Sequence, residues 1–88
     1  MLFFTYILYS NRLNKYYIGI TEDLVRRLGE HNRGKSNFTR KGNAWVLVYK
    51  EDFSSKAAAF KRELQIKKKK SRNYIENLIA MVSGHPLV

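Results

Sequence analysis

Cysteine is absent from the 88-residue chain. That excludes a disulfide framework, a thiolate zinc site and a cysteine nucleophile, and it suits a reducing cytosol, so a cytoplasmic location is expected. Any metal would need oxygen or imidazole ligands. A long apolar run is also missing: Met1 to Tyr9 is about half the length of a membrane span and lacks the basic start and cleavage site of a signal peptide. It reads as a buried strand, with no membrane partner. There is no internal repeat or linker, and low complexity is confined to Lys67 to Lys70. Acidic residues are scarce. Seven Asp/Glu stand against seventeen Lys/Arg, a formal charge of +10 that biases the chain toward a polyanion. The excess gathers between Lys56 and Arg72, where eight cations meet only Glu63, while residues 77–88 carry no formal charge apart from a protonatable His85. The bland alternative is a solvated helical face. The length allows one domain, residues 1–88, with one small core and a site on its surface, and residues 83–88 read as a flexible tail.

Two aromatic, branched segments, residues 2–9 and Tyr16 to Ile20, flank polar turn residues and predict an antiparallel hairpin. On a period of two, Phe4, Tyr6 and Leu8 share one face and Tyr17 and Gly19 share another, so the turn brings Tyr6 within a position or two of Tyr17. Thr21 is expected to cap a helix whose Leu24 and Leu28 face the core, with Gly34 as its stop. Arg27 and His31 then flank one side, and Arg26, Glu30 and Arg33 form another stripe. Residues 34–43 read as a flexible basic loop. Ala44 to Tyr49 predicts a third strand buried on both faces and ended by Glu51 and Asp52. A helix capped by Ser54 or Ser55 follows to about Lys70; its core arc is Ala57, Phe60 and Leu64, with Ala59 and Ile66 at the other edge and Glu63 inside. Ser71 caps a last helix with Tyr74, Ile75, Leu78, Ile79 and Val82 on one face, ended by Gly84 and Pro86.

Five side chains could carry chemistry, each with a structural alternative. Glu63 either pairs with Lys67 one turn on or offers oxygen to a hard cation such as Mg²⁺, which commonly uses one or two carboxylates. Tyr6 and Tyr17 are either strand aromatics or groups that orient and deprotonate water. Acting as a base near neutrality needs a phenol pKa lowered by about three units, roughly 4 kcal/mol. His31 is an alternative base, or a capping or packing residue. Arg27 either clamps a phosphate oxygen or pairs with Asp23.

In order and spacing, these segments resemble the GIY-YIG nuclease superfamily, especially its small single-domain bacterial members related to the N-terminal catalytic module of the excision-repair nuclease. Phe4-Thr5-Tyr6 keeps only the tyrosine of the first signature triplet, and Tyr17-Ile18-Gly19 matches the second outright. Leu24-x-x-Arg27-Leu28-x-x-His31-Asn32 looks like the arginine helix. Gly34-Lys35-Ser36 and Trp45 to Tyr49 resemble the loop and third strand, and Ala57-x-x-Phe60-Lys61-Arg62-Glu63-x-x-Ile66-Lys67 the metal-glutamate helix. The likeness covers residues 3 to about 80.

The resemblance implies an α/β (α+β) fold: a three-stranded antiparallel sheet with flanking helices in β-β-α-β-α-α order. It implies metal-dependent endonuclease hydrolysis of phosphodiesters with one Mg²⁺ or Mn²⁺. Glu63 would hold the cation, Arg27 would stabilise the attacked phosphate, Tyr17 with Tyr6 would orient or deprotonate water, and His31 would lie near the scissile group. Lys35, Arg40, Lys41, Lys67, Lys68, Lys69, Lys70 and Arg72 are expected to grip the backbone without reading sequence. The expected substrate is DNA, in a repair-like role, with any specificity supplied by a protein partner. Two positions depart from the pattern: Ile20 replaces the lysine three past Tyr17 in the repair nuclease, and neither Asn73 nor Asn77 matches the late asparagine. The alternative is a DNA- or RNA-binding module with weak or no catalysis. Recruitment of an acidic protein by the basic helix is a third reading.

Overall fold

The computed structural model describes residues 1–34 and 39–83. Lys35, Ser36, Gly84, Pro86 and the tail beyond them, to which sequence reading gave roles, lie outside the described residues. In chain order the elements are β1 (Phe3–Ser10), β2 (Lys15–Thr21), α1 (Leu24–Asn32), a 3-10 turn (Arg40–Gly42), β3 (Trp45–Phe53), α2 (Lys56–Lys69) and α3 (Arg72–Ser83). This is the expected β-β-α-β-α-α order. The sheet is antiparallel, ordered β2-β1-β3, with the most apolar strand in the centre.

The hairpin turn is built from local polar contacts. Asn14 takes a left-handed φ of 52°, which asparagine tolerates, and its side chain accepts from the Tyr9 hydroxyl at 2.7 Å. Ser10 Oγ accepts from the Leu13 amide at 3.1 Å. The resulting register sets Leu8 opposite Tyr17 and Tyr6 opposite Gly19. Tyr6, Leu8 and Trp45 form one buried cluster, closed by Tyr17, Leu24 and Leu28. Ile7 joins Tyr49, Ile66, Leu78 and Ile79 in a second, closed by residues including Tyr16, Ile18 and Ile75. The sheet thus has a tyrosine face under α1 and an aliphatic face under α2 and α3.

Several local expectations are corrected. Asp23, rather than Thr21, caps α1, accepting from the Arg26 amide at 3.1 Å; the Thr21 hydroxyl accepts from the Asp23 amide one step further out. Strand β3 continues through Glu51 and Asp52, because Arg62 and Lys50 pair with their carboxylates at 2.8 and 2.7 Å. It is an edge strand with Val46 and Leu47 exposed, so its apolar run does not signal burial on both faces. Ser55 supplies the α2 cap, accepting from the Ala58 amide, and Ser71 caps α3 through the Tyr74 amide.

The buried arc of α2 is Ala59, Glu63 and Ile66, while Ala57, Phe60 and Leu64 face outward. The helix offers two apolar arcs, and the sheet accepts the one whose small Ala59 allows close approach: the Thr5 hydroxyl donates to the Ala59 carbonyl at 2.8 Å. In α3, Leu78 and Ile79 are buried, but Val82 is exposed.

Candidate active site

The tyrosine face places four of the five sequence-derived side chains together. Strand alternation aims Tyr6 and Tyr17 the same way, with ring centroids 6.4 Å apart. The i, i+4 spacing on α1 delivers Arg27 and His31 to them. His31 is fully buried, 4.8 Å from the Tyr17 ring centroid, and its Nε2 is 3.0 Å from the Tyr6 hydroxyl. Its Nδ1 is 2.7 Å from Thr39 Oγ1. Thr39 is itself fully buried and anchors the loop by accepting from the Trp45 indole N–H through its carbonyl. The later half of the predicted flexible loop is therefore pinned.

Gly19 is required by this geometry. A Cβ there would stand 2.6 Å from the Tyr6 hydroxyl oxygen and 2.8 Å from its Cζ. The glycine of the second triplet leaves the space that the Tyr6 phenol fills.

Electrostatics divide the cluster. Burial pushes the Tyr6 phenol up to about 12; Arg27 opposes the rise, and Tyr17 and Glu63 add to it. Burial, helped by the Arg27 charge, brings His31 down to about 4, so its imidazole is neutral near pH 7. Burial works against the Arg27 charge, yet Glu30 and the two tyrosine hydroxyls hold the guanidinium more firmly protonated than usual. Glu30 pairs with both Arg27 and Arg26 at 2.9 Å, and Arg27 holds its carboxyl below the ordinary range. Asp23 pairs with Arg26 rather than Arg27.

Glu63 comes from the other side of the sheet. It is 8% exposed and pairs with Lys67 at 3.0 Å. Its carboxylate acts on the Tyr6 phenol through its charge, and Lys67 lines a groove of 400 Å³ with Leu13, Lys15, Tyr16, Tyr17 and Trp45. A second groove, 550 Å³, contains Arg27 with Phe3, Ile20, Glu22, Arg26 and Lys56. Lys15, Arg26, Glu30, Thr39 and Lys56 are thus site or rim residues that sequence reading missed. Arg26 and Glu30 had shown as a helix stripe, whereas nothing local marks Lys56 or Thr39. Lys56 and Arg26 bring cations to the groove in which Ile20 replaces a lysine.

The expected backbone-gripping residues fall into separate groups. Arg40 and Lys41 are exposed on the 3-10 turn. Lys67, Lys70 and Arg72 line one groove with Lys15 and Tyr16, and Lys68 and Lys69 line another with Arg62 and Tyr74. Arg72, half exposed, also donates to Asn14 Oδ1 at 2.6 Å and to Glu76 at 3.1 Å. Lys35 lies outside the described residues.

The β-β-α-β-α-α order, with tyrosines facing one side of the paired strands β1 and β2, is the architecture of a GIY-YIG domain. The family model described as the GIY-YIG catalytic domain matches residues 2–76, and the chain belongs to that family. Within it, the chain is similar to small UPF0213 proteins. It is 39% identical to one from Bacillus velezensis over 77 residues, covering 83% of this chain and 77% of that protein. One from Staphylococcus haemolyticus is 44% identical over 55 residues, covering 61% of this chain and 67% of that protein. The match to a Streptococcus pneumoniae relative, 43% identical over 60 residues, covers 67% of this chain and 61% of that protein's length. The solution NMR structure of a UPF0213 protein from Bacillus halodurans superposes with a TM-score of 0.56 at 33% identity, covering 92% of this chain and 85% of that one. Among the described residues, no helix is long and apolar enough to cross a membrane.

Proposed function

We propose that this domain is a metal-dependent endonuclease that hydrolyses nucleic-acid phosphodiesters, with DNA as substrate and little intrinsic sequence preference. The observation that carries this reading is the gathering of Tyr6, Tyr17 and His31 on one face, with Arg27 of the same helix flank lining an open groove and its charge acting on the Tyr6 phenol. Arg27 can donate to a phosphate oxygen and offset charge that grows as the phosphorus is attacked. Glu30 holds its guanidinium in place. Tyr17, half-buried and beside the Lys15 and Lys67 groove, is the phenol placed to orient an attacking water. Tyr6 is not suited to act as a free base: bringing a phenol from about 12 to neutrality takes about five pKa units, roughly 7 kcal/mol. It serves instead as a fixed hydrogen-bonding group behind the site.

The residues fit one hard cation rather than a protein-built cage. Among the described residues, no three His, Asp or Glu side chains gather as ligands. Glu63 offers one nearly buried carboxylate, whose oxygens suit Mg²⁺ or Mn²⁺ completed by water and substrate phosphate, with the ion taking the place of the Lys67 ammonium. When bound, the ion supplies Lewis-acid neutralisation of the phosphate. Nicking of supercoiled plasmid, with and without added Mg²⁺ or Mn²⁺, tests the proposal. Wild type should nick only with metal, and Glu63→Ala should be inactive. Equal nicking by Glu63→Ala, or none by wild type, would overturn it.

The Glu63–Lys67 ion pair favours a second reading, a nucleic-acid-binding module with weak turnover. Its signature is salt-sensitive binding without metal-dependent strand breaks. A repair-like role and a specificity-giving protein partner remain part of the proposal and would be tested by activity on lesion-bearing or branched duplexes.

A further inference from the structure

We propose that Thr39 is a positioning residue: its hydroxyl oxygen holds buried His31 in the Nδ1–H tautomer, which in turn aims the Tyr6 hydroxyl proton inward. The inference rests on the nuclease reading only for its effect on catalysis; the tautomer itself does not depend on that reading.

Tyr6 has one O–H to place, and the residue is 1% exposed. That proton needs an acceptor, and a buried donor left unpaired carries a substantial penalty. His31 Nε2, 3.0 Å away, fills that role only if it carries no hydrogen. A neutral imidazole without hydrogen at Nε2 carries it at Nδ1, which lies 2.7 Å from Thr39 Oγ1. The chain then runs in one direction: Tyr6 donates to His31 Nε2, and His31 Nδ1–H donates to Thr39 Oγ1. The opposite tautomer would make the Thr39 hydroxyl the donor to Nδ1 and the Tyr6 oxygen the acceptor from Nε2–H; because a phenol is the more acidic donor and the weaker acceptor of the two hydroxyls, the first arrangement pairs each hydroxyl in its better role.

Burial makes the arrangement durable. Tyr6, His31 and Thr39 are each 1% exposed or less, so water does not compete for these bonds. Thr39 is fixed independently, since its carbonyl accepts from the Trp45 indole, and Gly42 leaves room for that ring. The depressed His31 pKa keeps the imidazole neutral, so the tautomer persists through the pH range in which a nuclease is assayed. The consequence for the site is polarity. With its proton committed to His31, the Tyr6 oxygen turns its lone pairs to the Arg27 charge that acts on it.

Long-range ¹H–¹⁵N correlation spectra of the full chain read the tautomer directly, with His31→Gln used to assign the His31 signals. Wild type should show a protonated, pyrrole-type Nδ1 and an unprotonated, pyridine-type Nε2. Thr39→Ser should keep that pattern, and Thr39→Val should lose it, shifting toward Nε2–H. In cleavage assays Thr39→Val should lower kcat about tenfold with little change in KM, and Thr39→Ser should restore it. A wild-type spectrum with Nε2–H, or a Thr39→Val spectrum unchanged from wild type, would overturn the proposal. The wild-type spectrum suffices if Thr39→Val does not fold. Absence of nuclease activity alongside the predicted spectra would count against the proposed function and leave the tautomer assignment standing.

Discussion

At the scale of single residues, the site depends on fits within the tyrosine face. Gly19→Ala would drive a methyl into the Tyr6 phenol, so it should destabilise by about 1–3 kcal/mol in denaturant titration and reduce cleavage as Tyr6 is displaced. His31 gives a pH signature. Its pKa is about 6.5 when unfolded and about 4 when folded, so the unfolded chain takes up the proton first and stability falls as acid is added. Between pH 6.5 and 5 the loss should be about 1.5 kcal/mol, and it should be absent from the same titration of His31→Gln. The sharing of one face by Tyr6 and Tyr17 was legible in the sequence, because strand alternation is local. The deep burial of His31 was not, since Thr39 reaches it from a loop whose path depends on where Trp45 packs.

At the scale of elements, α2 shows why helical periodicity alone misassigned a face. Ala57, Phe60 and Leu64 repeat as regularly as Ala59, Glu63 and Ile66, and Phe60 is far the larger side chain. Thr5 and the aliphatic face of the sheet select the arc that presents Ala59, which takes Glu63 inward with it. Ile66→Ala should therefore cost about 2–4 kcal/mol, whereas Phe60→Gln, on the exposed arc, should change stability by less than about 0.5 kcal/mol. Equal costs in urea denaturation would restore the periodicity reading. The α1 cap moved by two residues because Asp23 and Thr21 both accept backbone hydrogen bonds, and Asp23 takes the one inside the helix. Element order and the pairing of β1 with β2 were legible because each segment carries its own turn and cap residues, whereas the place of β3 beside β1 was not.

At the scale of the whole molecule, the +10 charge is not one patch. Lys67 and Lys15 face the groove of Tyr17, Lys56 and Arg26 face that of Arg27, and Lys68 and Lys69 lie elsewhere. Lys15→Gln should lower the log–log salt dependence of DNA binding by about 1, the loss of one phosphate contact. Arg72→Gln should in addition lower thermal stability, because Arg72 ties the hairpin turn to α3. Motif order singled out Tyr6, Tyr17 and His31, which the structure brings together, while the crossing of α2 over the sheet, which decides where Glu63 lies, is a tertiary outcome. The central claim is that the α2 carboxylate and the tyrosine face serve one site. Paramagnetic broadening by Mn²⁺, followed by NMR on the ¹⁵N-labelled chain, tests it most directly. Signals of Tyr17, Arg27 and Glu63 should broaden together at low Mn²⁺ and recover in Glu63→Gln; broadening confined to other residues, or unchanged in Glu63→Gln, would contradict the claim.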